Sequence, residues 1–262
     1  MRGEGSMVST IEVFADGDAL MHAAAERWVS AAARATEVSG RFVVALAGGS
    51  TPRRLYALLA SAPYVTAVDW SRVHVFWSDE RCVAPDDPAS NYRMAKEALL
   101  DRVPLREQHI CRIRGESEPA VAAKAYEDTL RERFATPNGA PRITPGARFD
   151  LVLLGMGEDG HTASLFPGRP VVDIESLWVS AVHPPSGSLA RVTLTSTVIN
   201  AASEIVFLVS GGAKAATLQR VIEGPNRPEV LPAQSIAPRV GRLQWLVDES
   251  AALSLRRPIV LQ

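Results

Sequence analysis

A histidine and an aspartate two positions apart in a glycine-rich run could together perform acid–base chemistry. The run reads GMGEDGHTASLFPG and contains Asp159 and His161. An imidazole changes its charge between about pH 5 and 8, so it can act as a general base, a role that contributes about 10²- to 10⁴-fold to a rate. A single histidine more often has a structural role, but this one follows a predicted strand and has a carboxylate nearby to orient it. His161 and Asp159 are therefore the candidate catalytic residues.

The same run also fits a dinucleotide-binding pattern. Residues 155–160 read GMGEDG, satisfy G-x-G-x-x-G and follow a predicted strand. In that role Glu158 and Asp159 would lie beside a pyrophosphate, where like charges about 4 Å apart cost on the order of 1 kcal/mol in water and roughly four times that near a protein surface. We therefore interpret the glycines as forming the turn that presents Asp159 and His161.

The run GGSTP, which follows another predicted strand, has the composition of an anion-binding loop. Gly48 and Gly49 allow close approach of the backbone, and free amides at a helix N-terminus attract negative charge. Ser50 and Thr51 add hydroxyl donors, and we expect Thr51 to be the N-cap with Pro52 at the first helical position. The Walker spacing is absent. The loop is a candidate phosphate site, and a simple glycine turn with a helix cap is the alternative.

Cationic side chains follow two further predicted strands. Arg81 lies in SDER and Lys214 in SGGAK. A phosphate needs such cations, because arginine supplies a two-pronged donor and lysine a point charge. A single surface cation is usually just solvated, but two of them near GGST would complete an anion site. Arg191, at the start of a predicted strand, is a third candidate.

Strands and helices alternate along the chain, which indicates an α/β fold with a doubly wound, mostly parallel sheet flanked by helices. In such a Rossmann-like sheet, ligands bind beyond the carboxyl ends of the strands, so the four polar runs should surround one crevice. The predicted strands are residues 10–14, 42–47, 73–77, 149–154, 177–182, 191–195, 205–209 and 244–247. The predicted helices are residues 17–36, 51–59, 90–100, 119–134 and 215–222. The fifth and sixth strands could form a hairpin, and residues 136–148 read as a surface loop.

The composition is that of a globular protein. The chain has 262 residues, of which 47% are hydrophobic and 22% charged. We expect one α/β domain over 1–262, with residues 1–6 as an extension without a structural role. A net charge of −1 argues against a nucleic-acid partner or an anionic membrane. No apolar run approaches the roughly 20 residues needed to cross a bilayer.

The cysteine and histidine spacing argues against a metal site. Cys82 and Cys111 are too few for a disulfide framework and do not form a metal-binding pair, which suits a reducing, cytoplasmic compartment. There is no H-E-x-x-H, and His74 is expected to face a layer of the sheet. A covalent serine would need a G-x-S-x-G elbow, which is absent. These features leave general-base chemistry by His161 as the expectation.

Five blocks of the chain together resemble the 6-phosphogluconolactonase family: ALAGGSTPRRLYALL, WSDERCVAPDDPASNYRMAKEALL, FDLVLLGMGEDGHTASLFPG, RVTLT and VSGGAKAATL. The resemblance implies hydrolysis of 6-phospho-D-glucono-1,5-lactone to 6-phosphogluconate in the oxidative pentose phosphate pathway, with no metal or organic cofactor. It implies that His161 is the base. It also implies that Gly49, Ser50, Arg81 and Lys214 hold the phosphate, with Arg191 and Asn91 as secondary candidates.

The related glucosamine-6-phosphate deaminases and sugar-phosphate isomerases are the nearest alternative. They share a glycine-rich phosphate loop and a similar DGH run, but those deaminases carry a carboxylate five residues after the histidine, where this chain has Phe166. Ring opening and enolisation would be poorly supported without that carboxylate, which favours the lactonase. A non-catalytic sugar-phosphate sensor is a third alternative, since its binding loops would look the same.

Overall fold

Parallel strands form the main sheet of the protein. The computed structural model describes residues 9–134, 148–168, 177–184, 187–256 and 260–261. Residues 1–6, and all but the last residue of the predicted loop over 136–148, lie outside this part. The strands are β1 (Ser9–Phe14), β2 (Phe42–Leu46), β3 (Val73–Trp77), β4 (Asp79–Arg81), β5 (Leu151–Leu154), β6 (Val179–Val182), β7 (Arg191–Leu194), β8 (Glu204–Val209), β9 (Arg242–Asp248) and β10 (Val260–Leu261).

The main sheet has the order β10-β1-β9-β8-β5-β2-β3, and all of its neighbouring strands are parallel. Every residue of β2, β5 and β8 is buried, as expected for strands covered on both faces. The order places β8, β5, β2 and β3 side by side, so the loops after them meet at one edge. The predicted parallel α/β fold is confirmed.

Helices cover the sheet, and none of those described is long and apolar enough to cross a membrane. The first helix begins after Asp16, whose side chain accepts hydrogen bonds from two backbone amides of the first turn. Leu20, Ala24, Trp28 and Ala32 recur at helical spacing along it and are buried. The helices are α1 (Gly17–Ser39), α2 (Ser50–Leu59), α3 (Tyr64–Ala67), α4 (Asn91–Ala98), α5 (Pro119–Arg133), α6 (Ser196–Ile199), α7 (Ala215–Glu223) and α8 (Glu249–Ala252).

A second, antiparallel sheet with the order β4-β7-β6 lies beside the main one. The predicted hairpin is confirmed, because β6 and β7 pair with Val179 opposite Leu194 and Val182 opposite Arg191. The run SDER, which was not among the predicted strands, contains one, since residues 79–81 form β4 and pair with β7. A strand of three residues is too short to be recognised from the alternation of apolar and polar residues. It forms because β7 supplies its hydrogen-bonding partner.

The prediction of Thr51 as the N-cap of α2 was wrong. The helix begins at Ser50, and its N-cap is Gly49, which has φ of 105° and makes no side-chain cap bond. Gly49 turns the chain from β2 directly into the helix, which a residue with a side chain does at a cost. Pro52 lies in the first turn of α2. A backbone amide there has no acceptor within the helix, so the missing N–H of proline costs no hydrogen bond.

Candidate active site

A cleft of about 480 Å³ opens at the carboxyl ends of the parallel strands. It contains seven of the ten residues predicted from the sequence to form the site. Its walls also include residues from the small antiparallel sheet and from the loop after β6. The lining residues are Ala47, Gly48, Gly49, Ser78, Asp79, Arg81, Gly155, Met156, Gly157, Asp159, His161, Ala163, Ser164, Phe166, Pro184, Ser188, Arg191 and Lys214.

His161 and Asp159 form a hydrogen-bonded pair in the cleft. The distance from His161 Nδ1 to Asp159 Oδ1 is 2.5 Å, and the backbone amide of His161 also donates to that oxygen at 3.1 Å. The hydrogen bond from the His161 side chain holds the pKa of the Asp159 carboxyl below its usual value. An ionised carboxylate only accepts, so Nδ1 carries the proton and Nε2 is left as an acceptor. This is the tautomer that a histidine general base requires.

The glycines of this run make room for the pair. A Cβ atom on Gly157 would lie 2.1 Å from His161 Nδ1 and 2.5 Å from Asp159 Oδ1, so only glycine fits there. The amide of Gly157 donates to the carbonyl oxygen of His161 at 2.9 Å, which closes the turn, and Gly160 has φ of 83°. The glycine spacing is therefore explained by the turn around His161, in agreement with our interpretation of the sequence.

Phe166 packs against the imidazole of His161. The two ring centroids are 4.9 Å apart with an interplanar angle of 41°, and Phe166 is 8% exposed. An aromatic ring at this distance limits the rotation of the imidazole and covers one of its faces. The position therefore supplies an apolar contact beside the candidate base and no ionisable group.

Arg81 and Arg191 bring two positive charges together on one wall. They are direct partners in the pairing of β4 with β7. Burial, followed by the charge of Arg81, lowers the pKa of Arg191. Arg81 donates from Nη1 to the carbonyl oxygen of Ala89 at 2.6 Å, while its buried Nε has no partner. In the described ranges neither guanidinium has an ion pair with a carboxylate, so both are available to an anionic ligand.

Lys214 reaches the cleft from the other side of His161. It follows β8, which neighbours β5 in the main sheet, and its Nζ is 3.7 Å from Glu158 Oε1. The Lys214 side chain is 25% exposed, and the Glu158 carboxylate is mostly exposed. An ion pair of this length and exposure contributes little, so the ammonium group can readily turn to a ligand.

Three predicted residues lie outside the lining of the cleft. Ser50 and Thr51 belong to the first turn of α2, just behind Gly49. Asn91 is 1% exposed and donates from Nδ2 to the carbonyl oxygen of Asp79 at 2.9 Å. A Cβ atom on Gly48 would meet the Asn91 amide oxygen at 2.1 Å. Asn91 therefore supports the glycine loop from behind and does not face the cleft.

Among the polar residues of the cleft that were not predicted from the sequence, two are hydrogen-bonded to each other. Asp79 is 7% exposed and Ser164 is 1% exposed, and the Ser164 hydroxyl donates to Asp79 Oδ2 at 2.6 Å. Asp79 lies within SDER, where only the arginine attracted attention as a phosphate ligand. Nothing in the spacing of Asp79 and Ser164 indicates that these two residues meet.

The described residues contain no cluster of three or more histidine, cysteine, aspartate or glutamate side chains that could hold a metal ion. A second cavity, of about 380 Å³, lies near the amino ends of β1 and β9. Its lining includes Ile11, Leu243 and Trp245 and no charged side chain. Of these two cavities, only the cleft at the carboxyl edge has acid–base and cationic groups in its lining.

A parallel sheet with a histidine–aspartate pair and three cations at its carboxyl edge defines an α/β protein equipped to act on a small anionic ligand. The family model described as glucosamine-6-phosphate isomerases/6-phosphogluconolactonase matches residues 15–245. The chain belongs to this family, which confirms the resemblance predicted from the sequence.

Curated relatives and solved structures agree with this assignment. The 6-phosphogluconolactonase of Haemophilus influenzae is 39% identical over 208 residues, covering 79% of this chain and 85% of that protein. The 6-phosphogluconolactonase of Nostoc sp. is 38% identical over 250 residues, covering 95% and 99%. The solved structure of 6-phosphogluconolactonase from Trypanosoma cruzi has a TM-score of 0.82 and 28% identity, covering 98% and 100%.

Proposed function

We propose that the protein hydrolyses 6-phospho-D-glucono-1,5-lactone to 6-phospho-D-gluconate, the lactonase step of the oxidative pentose phosphate pathway, without a metal or an organic cofactor. The observation that carries the proposal is the His161–Asp159 pair in a cleft that also holds Arg81, Arg191 and Lys214. The relatives that match over most of their length are named for this activity, which supports it further.

In this proposal His161 Nε2 removes a proton from a water molecule as that water attacks the C1 carbonyl carbon of the lactone. The Asp159 carboxylate holds Nδ1 protonated and stabilises the imidazolium that forms. The ring C–O bond then breaks, and the proton passes from His161 to the departing ring oxygen. This second transfer returns His161 to its neutral form, ready for another cycle, and the carboxylic acid product releases its own proton to solvent.

The phosphate group supplies the binding energy that holds the lactone in place. We assign it to Gly48, Gly49, the first amides of α2 beside Ser50 and Thr51, and the cations Arg81, Arg191 and Lys214. A dianion is suited to this wall, because the two guanidiniums have no carboxylate partner in the described part of the chain. Phosphate oxygens accept paired hydrogen bonds from guanidinium groups.

The deaminase or isomerase alternative requires further ionisable groups for proton shuttling. Phe166 occupies the position where the resembling deaminases carry a carboxylate, and it packs on His161 as an apolar ring. The site thus offers a water-activating base but no second carboxylate beside it at that position. This contact favours the lactonase.

The test is a paired assay on the purified protein. Freshly generated 6-phosphogluconolactone should disappear much faster than it does spontaneously, and ammonia should not be released from glucosamine 6-phosphate. His161→Ala should lose about 10²- to 10⁴-fold of the lactonase rate while 6-phosphogluconate still binds. The exposed His22 on α1 provides a matched control, because His22→Ala leaves the cleft untouched.

Other outcomes of the assay select the alternatives. Strong ammonia release would favour the deaminase. Product binding without any acceleration by the wild type would favour a non-catalytic sensor. Full turnover by His161→Ala would remove His161 from the role of base.

We infer a cytosolic location for the reaction. Cys82 and Cys111 are both free thiols, and unpaired thiols persist in reducing compartments. We propose that the ligand is the sugar phosphate. We propose no nucleic-acid partner, because the chain has a net charge of −1 and thus no excess of positive charge.

A further inference from the structure

The segment that carries His161 contains a strained turn on the wall of the cleft. Ala163 has φ of 46°, a left-handed conformation that is unfavourable for a residue with a side chain. The turn is closed by the amide of Leu165 donating to the carbonyl oxygen of Thr162 at 2.9 Å. Such strain persists only where neighbouring contacts hold it in place. The contacts that hold this turn should therefore matter for His161.

Ser164 supplies two of those contacts, both with the small antiparallel sheet. Its hydroxyl donates to Asp79 Oδ2 at 2.6 Å, and its backbone amide donates to Thr193 Oγ1 at 3.1 Å. Asp79 and Thr193 are register partners in the pairing of β4 with β7, so Ser164 is fixed to two adjacent strands at one point. Both side chains are buried, so loss of this hydrogen bond would leave a polar group without a partner and away from water.

The other side of the Asp79 carboxylate reaches the glycine loop. Asn91 donates from Nδ2 to Asp79 Oδ1 at 3.2 Å and to the Asp79 carbonyl oxygen at 2.9 Å. Asn91 in turn supports Gly48 from behind. Asp79 thus joins the turn that carries the base to the loop that we assign to the phosphate.

We propose that Asp79 and Ser164 are positioning residues: their hydrogen bond holds the Thr162–Leu165 turn and thereby keeps the His161–Asp159 pair aimed into the cleft. The catalytic part of this inference rests on the proposed lactonase function. The structural part, which concerns the geometry of the His161–Asp159 pair, does not depend on it.

A similar serine–aspartate contact at the carboxyl edge of the main sheet provides a matched comparison. Ser210 donates to Asp248 Oδ2 at 2.5 Å, and the amide of Gly211 donates to the same carboxylate. This contact lies at the start of the loop that carries Lys214, away from the His161 turn. Loss of it should weaken phosphate binding and leave the base in place.

The experiment compares Ser164→Ala with Ser210→Ala. Ser164→Ala should lower kcat about 10- to 100-fold with KM changed by less than about twofold, because misplacing a catalytic group by about 1 Å costs up to 100-fold. Ser210→Ala should mainly raise KM. Asp79→Asn should also lower kcat, and the Asp79→Asn/Ser164→Ala double variant should lose less than the product of the single losses, since the two residues share one contact.

Proton NMR gives a readout that does not depend on turnover. The Nδ1 proton of His161, hydrogen-bonded to the Asp159 carboxylate, should give a strongly downfield resonance in the wild type and in Ser210→Ala. That resonance should broaden or disappear in Ser164→Ala. His161→Ala assigns the resonance, because it removes the proton itself.

Unchanged kcat and an unchanged downfield resonance in Ser164→Ala would overturn the proposal, as would fully multiplicative losses in the double variant. If Ser164→Ala does not fold, Ser164→Cys replaces it, because a thiol is close to a hydroxyl in shape but is only a weak donor. The kcat and the downfield resonance of that variant then test the proposal. A further outcome is that the wild type shows the downfield resonance without lactonase activity, while Ser164→Ala lacks the resonance. That result would contradict the lactonase function but support the positioning role.

Discussion

Arg81 and Arg191 lie directly opposite each other where β4 pairs with β7. Like charges in facing positions destabilise an antiparallel pair. Burial also disfavours the charged form of Arg191, and the pKa of Arg191 is lowered as a result. No ion pair with a carboxylate relieves the two guanidiniums within the described ranges. An anion bound between the two guanidiniums would relieve this repulsion. The arrangement therefore indicates a ligand-binding role more strongly than either arginine alone.

Replacing one member of this pair should separate binding from stability. We expect Arg191→Gln to raise KM for the phosphorylated lactone about 10- to 100-fold, since a hydrogen bond to a charged group contributes about 1.5–3 kcal/mol. Its melting temperature should stay the same or rise, because the repulsion and the buried charge are removed. Steady-state kinetics and thermal unfolding measure both quantities.

The exposed Arg239 allows the same substitution outside the cleft. Arg239→Gln should change neither KM nor the melting temperature. A clear loss of stability in Arg191→Gln, with KM unchanged, would mean that Arg191 has a structural role only.

Gly157 and Gly155 offer a second matched pair within one run. A Cβ atom on Gly157 would collide with His161 Nδ1 and Asp159 Oδ1, whereas one on Gly155 would meet nothing within 4 Å. We expect Gly157→Ala to lower kcat about 100-fold or more, because the base and its partner must move apart. Gly155→Ala should cause a much smaller loss. Equal kcat values for the two variants would contradict the geometry described for the His161–Asp159 pair.

Asn91 shows where the sequence was informative and where it was not. The Ser90-Asn91 pair correctly predicted the start of α4, since Ser90 is the N-cap and accepts from the amide of Arg93. Its role at the site did not follow from that signal, because the partners of Asn91 are Asp79 and Gly48, which only the fold brings next to it. Local patterns predicted the elements and the loops at their ends, while contacts between distant segments depend on how the strands pair.

The same limit explains the missed residues. His161 and Lys214 follow the ends of parallel strands, so the rule for open parallel sheets locates them, whereas Arg81 was selected for its charge. Asp79 and Ser164 are 85 positions apart and meet because β4 pairs with β7 beside the His161 turn. A buried serine has no chemical signature in sequence, so this contact could only be found in three dimensions.

A structural role for Asn91 predicts a loss of stability. Asn91→Ala leaves the buried Asp79 carbonyl oxygen without that donor, which should cost about 1–3 kcal/mol in the free energy of unfolding. KM should rise only modestly, because Gly48 loses its support but the cations remain. Denaturant unfolding and kinetics test this, and a large rise in KM at unchanged stability would instead indicate direct contact with the substrate.

His74 predicts how stability depends on pH. Its ring stacks on His109 with centroids 3.8 Å apart, and its pKa is lowered to about 4, first by burial and then by the positive charges of His109, Arg41 and Arg133. In the unfolded chain a histidine takes up its proton near pH 6.5, so the unfolded state binds more protons between about pH 6.5 and 4. Stability should therefore be fully present above about pH 6.5 and fall as the pH drops toward 4.

The variant His74→Phe should reduce this acid sensitivity, because it keeps a stacking ring but cannot be protonated. We expect similar melting temperatures for the variant and the wild type at pH 7.5. A gap of a few degrees in favour of the variant should open by pH 5, since each kcal/mol shifts the melting temperature by about 2–4 °C in a chain of this size. Parallel melting curves across this pH range would show that another group causes the acid sensitivity.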